Sequence, residues 1–174
     1  MLSKSRSSIS VHELTWMAIL ISLEMVLSRF SIGSNALQVG FSFVAMGLIG
    51  YYFGPYKAAI AMAIADIMKM VILPSSGAFF WGFTVSAIVS GIIYGAMLHN
   101  KKVTVIRVLI TTILVVVIVN TLMNTLWIQM ISNAPFWVLL TPRLLKEAIS
   151  LVYQTGILYI ILKWISNSRF NKID

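Results

Sequence analysis

The chain has 174 residues, 59% of them hydrophobic and only 10% charged, with a mean hydropathy of +0.94. A soluble domain carries about a quarter charged residues and could not hide so much apolar surface in one core while keeping a wettable exterior, so a water-soluble globule, a disordered chain and a collagen-like chain are all excluded. The net charge of +8 sits at the ends of apolar runs with no basic, aromatic-studded domain to grip nucleic acid, and the absence of cysteine removes disulfides, thiolate metal sites and cysteine nucleophiles.

A spanning helix needs about 20 mainly apolar residues, so six spans would use about 120 and leave little for a soluble domain. The expected fold is an all-α integral membrane protein. It is expected as one transmembrane domain over 1–174: a leader at 1–12, a bundle of six transmembrane helices over 13–165, and a tail at 166–174. The leader, with Lys4 and Arg6, resembles a signal-peptide n-region, but no small-x-small cleavage site follows, and the first run reads as a retained helix. That helix covers Glu13 to Phe30 and ends at the turn-forming Ser31-Ile32-Gly33-Ser34-Asn35. The second covers Leu37 to Phe53, stopped by Gly54-Pro55. The third covers Tyr56 to Leu73, stopped by Pro74-Ser75-Ser76-Gly77. The fourth runs from Phe80 to Leu98, the fifth from Val105 to Ile131, and the sixth from Trp137 to Ile165.

Six spans put both termini on one side. That side collects Lys4, Arg6, Lys57, Lys101, Lys102, Arg107, Lys163, Arg169 and Lys172, nine of the 13 basic residues, so both termini are expected in the cytoplasm. Arg29, Lys69, Arg143 and Lys146 break this rule, for all four map to the outer halves of their helices. A cation inside a span costs about 2.5–3.5 kcal/mol on insertion scales and normally faces the bundle interior or water. Asp66 and Glu147, with Glu24 towards mid-helix, are the nearby acids. Asp66 and Lys69 are spaced to pair on one helix face, as are Arg143 and Glu147, and Arg29 can snorkel to the headgroups. Beyond such pairing a cationic surplus remains, and an anionic ligand would neutralise it. One contact ion pair is worth about 4 kcal/mol at an effective dielectric near 20, before desolvation.

Polar stripes lead to the same end. On the sixth helix Arg143, Lys146, Glu147, Ser150, Tyr153 and Gln154 recur at helical spacing, and in lipid such a stripe must line a cavity or another helix. The fifth offers Asn120, Thr121, Asn124 and Thr125, whose amides suit either interhelical hydrogen bonds or the edge of a heteroaromatic ligand. Phe79, Phe80, Trp81 and Phe83 can serve as a stacking wall or as an interfacial belt. The outer loops around Gly33 and Gly77 can close over a bound molecule. Small residues at four-residue spacing, Ala18 and Ser22, Gly91 and Gly95, Ala59 and Ala63, Ala61 and Ala65, permit close helix approach, mostly within the bundle. No phosphate-binding glycine loop occurs, and His12 and His99 lie at helix ends without acidic clusters, so no metal, cofactor or catalytic set is expected.

The basic leader, Ala18-x-x-x-Ser22 on the first helix and the six-helix plan resemble the substrate-binding (S) components of energy-coupling-factor vitamin importers. Phe80-Trp81-Gly82-Phe83-Thr84-Val85-Ser86-Ala87, Gly91 to Gly95, and Thr141-Pro142-Arg143-Leu144-Leu145-Lys146 with Gln154 resemble the folate-specific members. The family's first-helix motif usually has alanine at both ends; Ser22 departs from it but stays small. The resemblance implies a non-catalytic transport subunit in the cell membrane. It would capture folate outside and dock through Ala18 and Ser22 on a transmembrane coupling protein that sits on two cytoplasmic ATPases. It further implies a ligand near Arg143 and Lys146, assisted by Lys69 or Arg29, with its ring against Phe80, Trp81 and Phe83 and near Asn120, Asn124, Tyr153 and Gln154. Three alternatives stay open: an S component for another anionic vitamin such as pantothenate, a small membrane enzyme using Lys146 and Glu147, and a ligand-free assembly subunit.

Overall fold

The computed structural model describes residues 10–32, 39–72 and 80–168, which are helical apart from one pair of two-residue strands and short connections such as 99–104 and 133–135. Helix α1 (Val11–Arg29) starts where the Ser10 hydroxyl accepts from the Glu13 amide at 3.1 Å, and it carries Glu13 in its first turn and Arg29 in its last, each sign complementing the helix dipole. Strands β1 (Ser31–Ile32) and β2 (Val39–Gly40) pair antiparallel, Ser31 opposite Gly40. The second predicted helix therefore begins later than expected: α2 (Ser42–Ile72) starts after Val39 and Gly40 have been taken into this ladder, and Leu37 lies outside the described residues.

The break expected at Gly54-Pro55 falls inside α2. Gly54 sits at φ 74, ψ 178, which side chains rarely permit. Pro55 has no N–H to offer the carbonyl four residues back. That carbonyl, on Tyr51, instead accepts from His99 Nδ1 at 2.9 Å. Helix α3 (Trp81–Leu98) follows, then a continuous run of α4 (Val105–Leu114), a π-helical segment (Val115–Met123) and α5 (Asn124–Ser132), and finally α6 (Phe136–Asn167). The π turn was not expected from sequence; its wider winding lets the Thr121 hydroxyl donate to the Val116 carbonyl five residues back. Among the described residues four stretches, Val11–Arg29, Trp81–Leu98, Val105–Ser132 and Phe136–Asn167, are long and apolar enough to cross a membrane.

Helices α1, α2 and α3 form the tightest part. A Cβ on Gly95 would run into the backbone of Pro55, and one on Gly91 into that of Ala58, so these glycines let α3 lie directly against the later half of α2. Ala61 and Ala65 are buried in the same packing. Two ion pairs fasten α1 to that half: Lys57 to Glu13 at 2.5 Å and Lys69 to Glu24 at 2.8 Å. The acids are eleven residues apart and the lysines twelve, about 17 Å of rise in each helix, so the two run side by side in the same direction. Ala18 and Ser22 lie on the exposed side of α1, where the Ser22 hydroxyl donates to the Ala18 carbonyl at 2.9 Å.

Candidate functional site

A cavity of about 400 Å³ opens between the α1–α2–α3 group and the α4–α6 run, within the usual range for small-molecule sites. The end of β2 contributes Gly40, the start of α2 Ser42, Phe43 and Met46, and the far end of α2 Asp66 and Lys69. Helix α3 adds Phe83, Ser86, Ser90 and Tyr94, a row at nearly constant four-residue spacing that turns one face inward. The π segment and α5 supply Val115, Val119, Asn120, Asn124 and Ile128. The facing wall is the polar stripe of α6: Arg143, Lys146, Glu147, Ser150, Tyr153 and Gln154.

Of the residues singled out from sequence, Lys69, Phe83, Asn120, Asn124, Arg143, Lys146, Tyr153 and Gln154 meet around this one space. Arg29 is exposed and off its wall. Trp81 is 67% exposed and also off the wall. Phe80 stands behind it, its ring centroid 6.3 Å from that of Phe83 and 5.7 Å from that of Trp127. Phe79 and the loop glycines Gly33 and Gly77 lie outside the described residues.

The charges are arranged differently from the sequence expectation. Lys69 does not pair with Asp66 one turn away; it meets Glu24 of α1, while Asp66 Oδ2 accepts from the Thr84 hydroxyl at 2.8 Å. Arg143 and Glu147 form no ion pair either, and Asn120 stands between them. Arg143 Nη1 donates to the Asn120 carbonyl and Asn120 Nδ2 donates to Glu147 Oε2, both at 3.4 Å. Three cations (Lys69, Arg143, Lys146) thus face two carboxylates on the wall and a third, Glu24, behind it. The expected cationic surplus is not there. In its place, among the described residues, Arg143, Lys146, Asp66 and Glu147 line one cavity with no opposite charge within 4.0 Å. Such a wall complements a ligand that carries both carboxylates and N–H donors.

The inner part is uncharged. Ser90, Tyr94, Ser150, Tyr153 and Gln154 offer hydroxyls and one amide, with Gln154 Nε2 donating to Tyr153 Oη at 3.5 Å. Asn124 Oδ1 is buried without a partner among the described residues and waits for a donor. Ser86 is already engaged, accepting from Trp127 Nε1 at 2.9 Å. Sequence reading passed over Ser86, Ser90 and Tyr94; the signal was hydroxyls recurring every fourth residue on an otherwise apolar helix.

The ECF transporter substrate-specific component family model matches residues 12–162. A folate transporter FolT of Clostridium novyi is 39% identical over 170 residues, covering 93% of this chain and 98% of the relative. A second, from Leuconostoc mesenteroides, is 36% identical over 160 residues, covering 88% and 86%. The crystal structure of FolT bound with folic acid superposes with a TM-score of 0.81 at 33% identity, covering 87% of this chain and 93% of that one. The S-component for biotin from an ECF-type ABC transporter shares the fold at a TM-score of 0.64 and 17% identity, over 86% and 90%. The chain is a membrane protein and belongs to the family of substrate-specific components of ECF transporters.

Proposed function

We propose that this protein captures folate in the cavity between α2, α3 and α6 and delivers it by docking on an ATP-driven coupling module. What supports the reading is the likeness along nearly the whole chain to FolT proteins, one of them bound with folic acid, together with a cavity wall that carries both cations and carboxylates not ion-paired with one another among the described residues. Folate has this mixture: two glutamate carboxylates at one end and a planar pteridine with N–H donors and ring acceptors at the other. Arg143 and Lys146 are the groups for the glutamate carboxylates. Asp66 and the amides of Asn124 and Gln154 suit the pteridine edge, and Phe83, backed by Phe80, gives it an aromatic face.

The bundle has six spans in this reading, α2 counting as two about Gly54, with both termini in the cytoplasm and the Arg143 end of the cavity outside. Ala18 and Ser22, exposed on α1, form the contact for a transmembrane coupling protein that sits on two cytoplasmic ATPases. The chain itself performs no chemistry on its cargo. Calorimetry of the purified protein against folic acid and pantothenate tests the reading. Saturable folic acid binding with no pantothenate binding is expected; tight pantothenate binding without folic acid binding overturns it.

A further inference from the structure

Glu24 lies behind the cavity wall, on the buried face of α1 with Met17, Leu20 and Ile21, and only 1% of it is exposed. Its Oε1 is 2.8 Å from Lys69 Nζ, whereas Oε2 is buried with no partner among the described residues. Among the described residues, Lys69 is thus the sole group that neutralises this fully buried carboxylate. Drawing its ammonium into the cavity would strand that carboxylate in a medium of low polarity, which is among the costlier events in a protein interior. Arg143 and Lys146 carry no such obligation, since neither has a carboxylate within 4.0 Å.

We infer that Glu24 is a positioning residue that sets the charge of the binding cavity: it holds Lys69 out of service, so that two cations rather than three address the ligand's carboxylates. The inference rests on the folate reading for its ligand and on the Glu24–Lys69 geometry for its cause. Lys69 lines the wall with its charge already spent, and a ligand with more negative groups gains nothing from it. Specificity for the number of carboxylates is therefore written partly on α1, by a side chain that never touches the ligand.

The test compares folic acid, with two carboxylates, and pteroic acid, which lacks the glutamate and has one. Glu24→Gln keeps the shape and releases Lys69. The ratio of the pteroic to the folic acid dissociation constant is expected to rise about threefold or more in this variant, and to fall back to its original value in Glu24→Gln/Lys69→Met. A purely structural Glu24 would weaken both ligands alike; a folded Glu24→Gln protein with an unchanged or lower ratio overturns the inference. Thermal unfolding without ligand provides a second arm. Lys69→Met is expected to melt below Glu24→Gln/Lys69→Met, because only the single variant leaves a buried charge alone. If the two melt together, Glu24 does not depend on Lys69 and the inference fails. Absence of folic acid binding by the unaltered protein would remove the folate reading while leaving this second arm to decide the role of Glu24.

Discussion

The two halves of the molecule are joined by different chemistry. Between α2 and α3 the contact is backbone on backbone, with Gly91 and Gly95 fitted against Ala58 and Pro55 and no space for one added carbon. Between this pair and the run from α4 to α6, aliphatic side chains such as Leu158 against Gly47 make part of the contact, and polar and aromatic side chains line a cavity of about 400 Å³ in the rest. The first seam is apolar and closed; the second holds a cavity lined by charged and polar side chains. A small apolar seam gives rigidity in lipid, where apolar burial supplies no driving force between helices and close packing must do so. An unsatisfied polar seam is tolerated only where something else is to fill it.

Substitutions at the two seams should break this contrast, the first through folding and the second through binding. Gly95→Leu should be the most damaging, since overpacking against backbone costs about 1–3 kcal/mol or more; loss of monodisperse protein on size exclusion is the expected result. Gly156→Ala, at a helical glycine with nothing within 4 Å of the added carbon, should leave it folded or slightly more stable. At the second seam, Arg143→Ala should remove about 2–5 kcal/mol of folic acid binding with little change in melting temperature, read by calorimetry, and Lys101→Ala should change neither. Ala18→Leu or Ser22→Leu, outside both seams, should leave binding intact yet stop uptake by whole cells; normal uptake would show that this face of α1 is not the docking surface. Arg29→Ala, an exposed side chain off the cavity wall, should change binding by no more than about 0.5 kcal/mol.

The contrast also explains what could be read from sequence. Helix limits were legible wherever a residue with special backbone chemistry stands, as at Gly54-Pro55 and in Ser132-Asn133-Ala134-Pro135, where Asn133 adopts the left-handed conformation that ends α5. The α6 stripe was legible because polar residues at helical spacing in lipid have few destinations. Strands of two residues show no alternation to detect, and a π turn leaves Val-Val-Val-Ile-Val-Asn looking like any apolar helix. The partner of Lys69 was hidden for a more basic reason. Spacing along one helix identifies neighbours on that helix only, and Glu24 comes from 45 residues away. Arg143 and Glu147 fit the pairing rule by spacing, but the amide and carbonyl of Asn120 come between them.

The joint at Gly54 has a bearing on His99. Because Tyr51 can only accept there, the imidazole must carry its proton on Nδ1, and Nε2 lies 2.9 Å from the Asn100 amide, which donates to it. One ring therefore splints the bend in α2 from the end of α3, locked in a single tautomer with both nitrogens committed. A histidine that sequence alone left idle is in this way a fastener: replacing it with a residue lacking a donor at that height would remove this link between the end of α3 and the bend in α2 and loosen the elbow about which α2 folds.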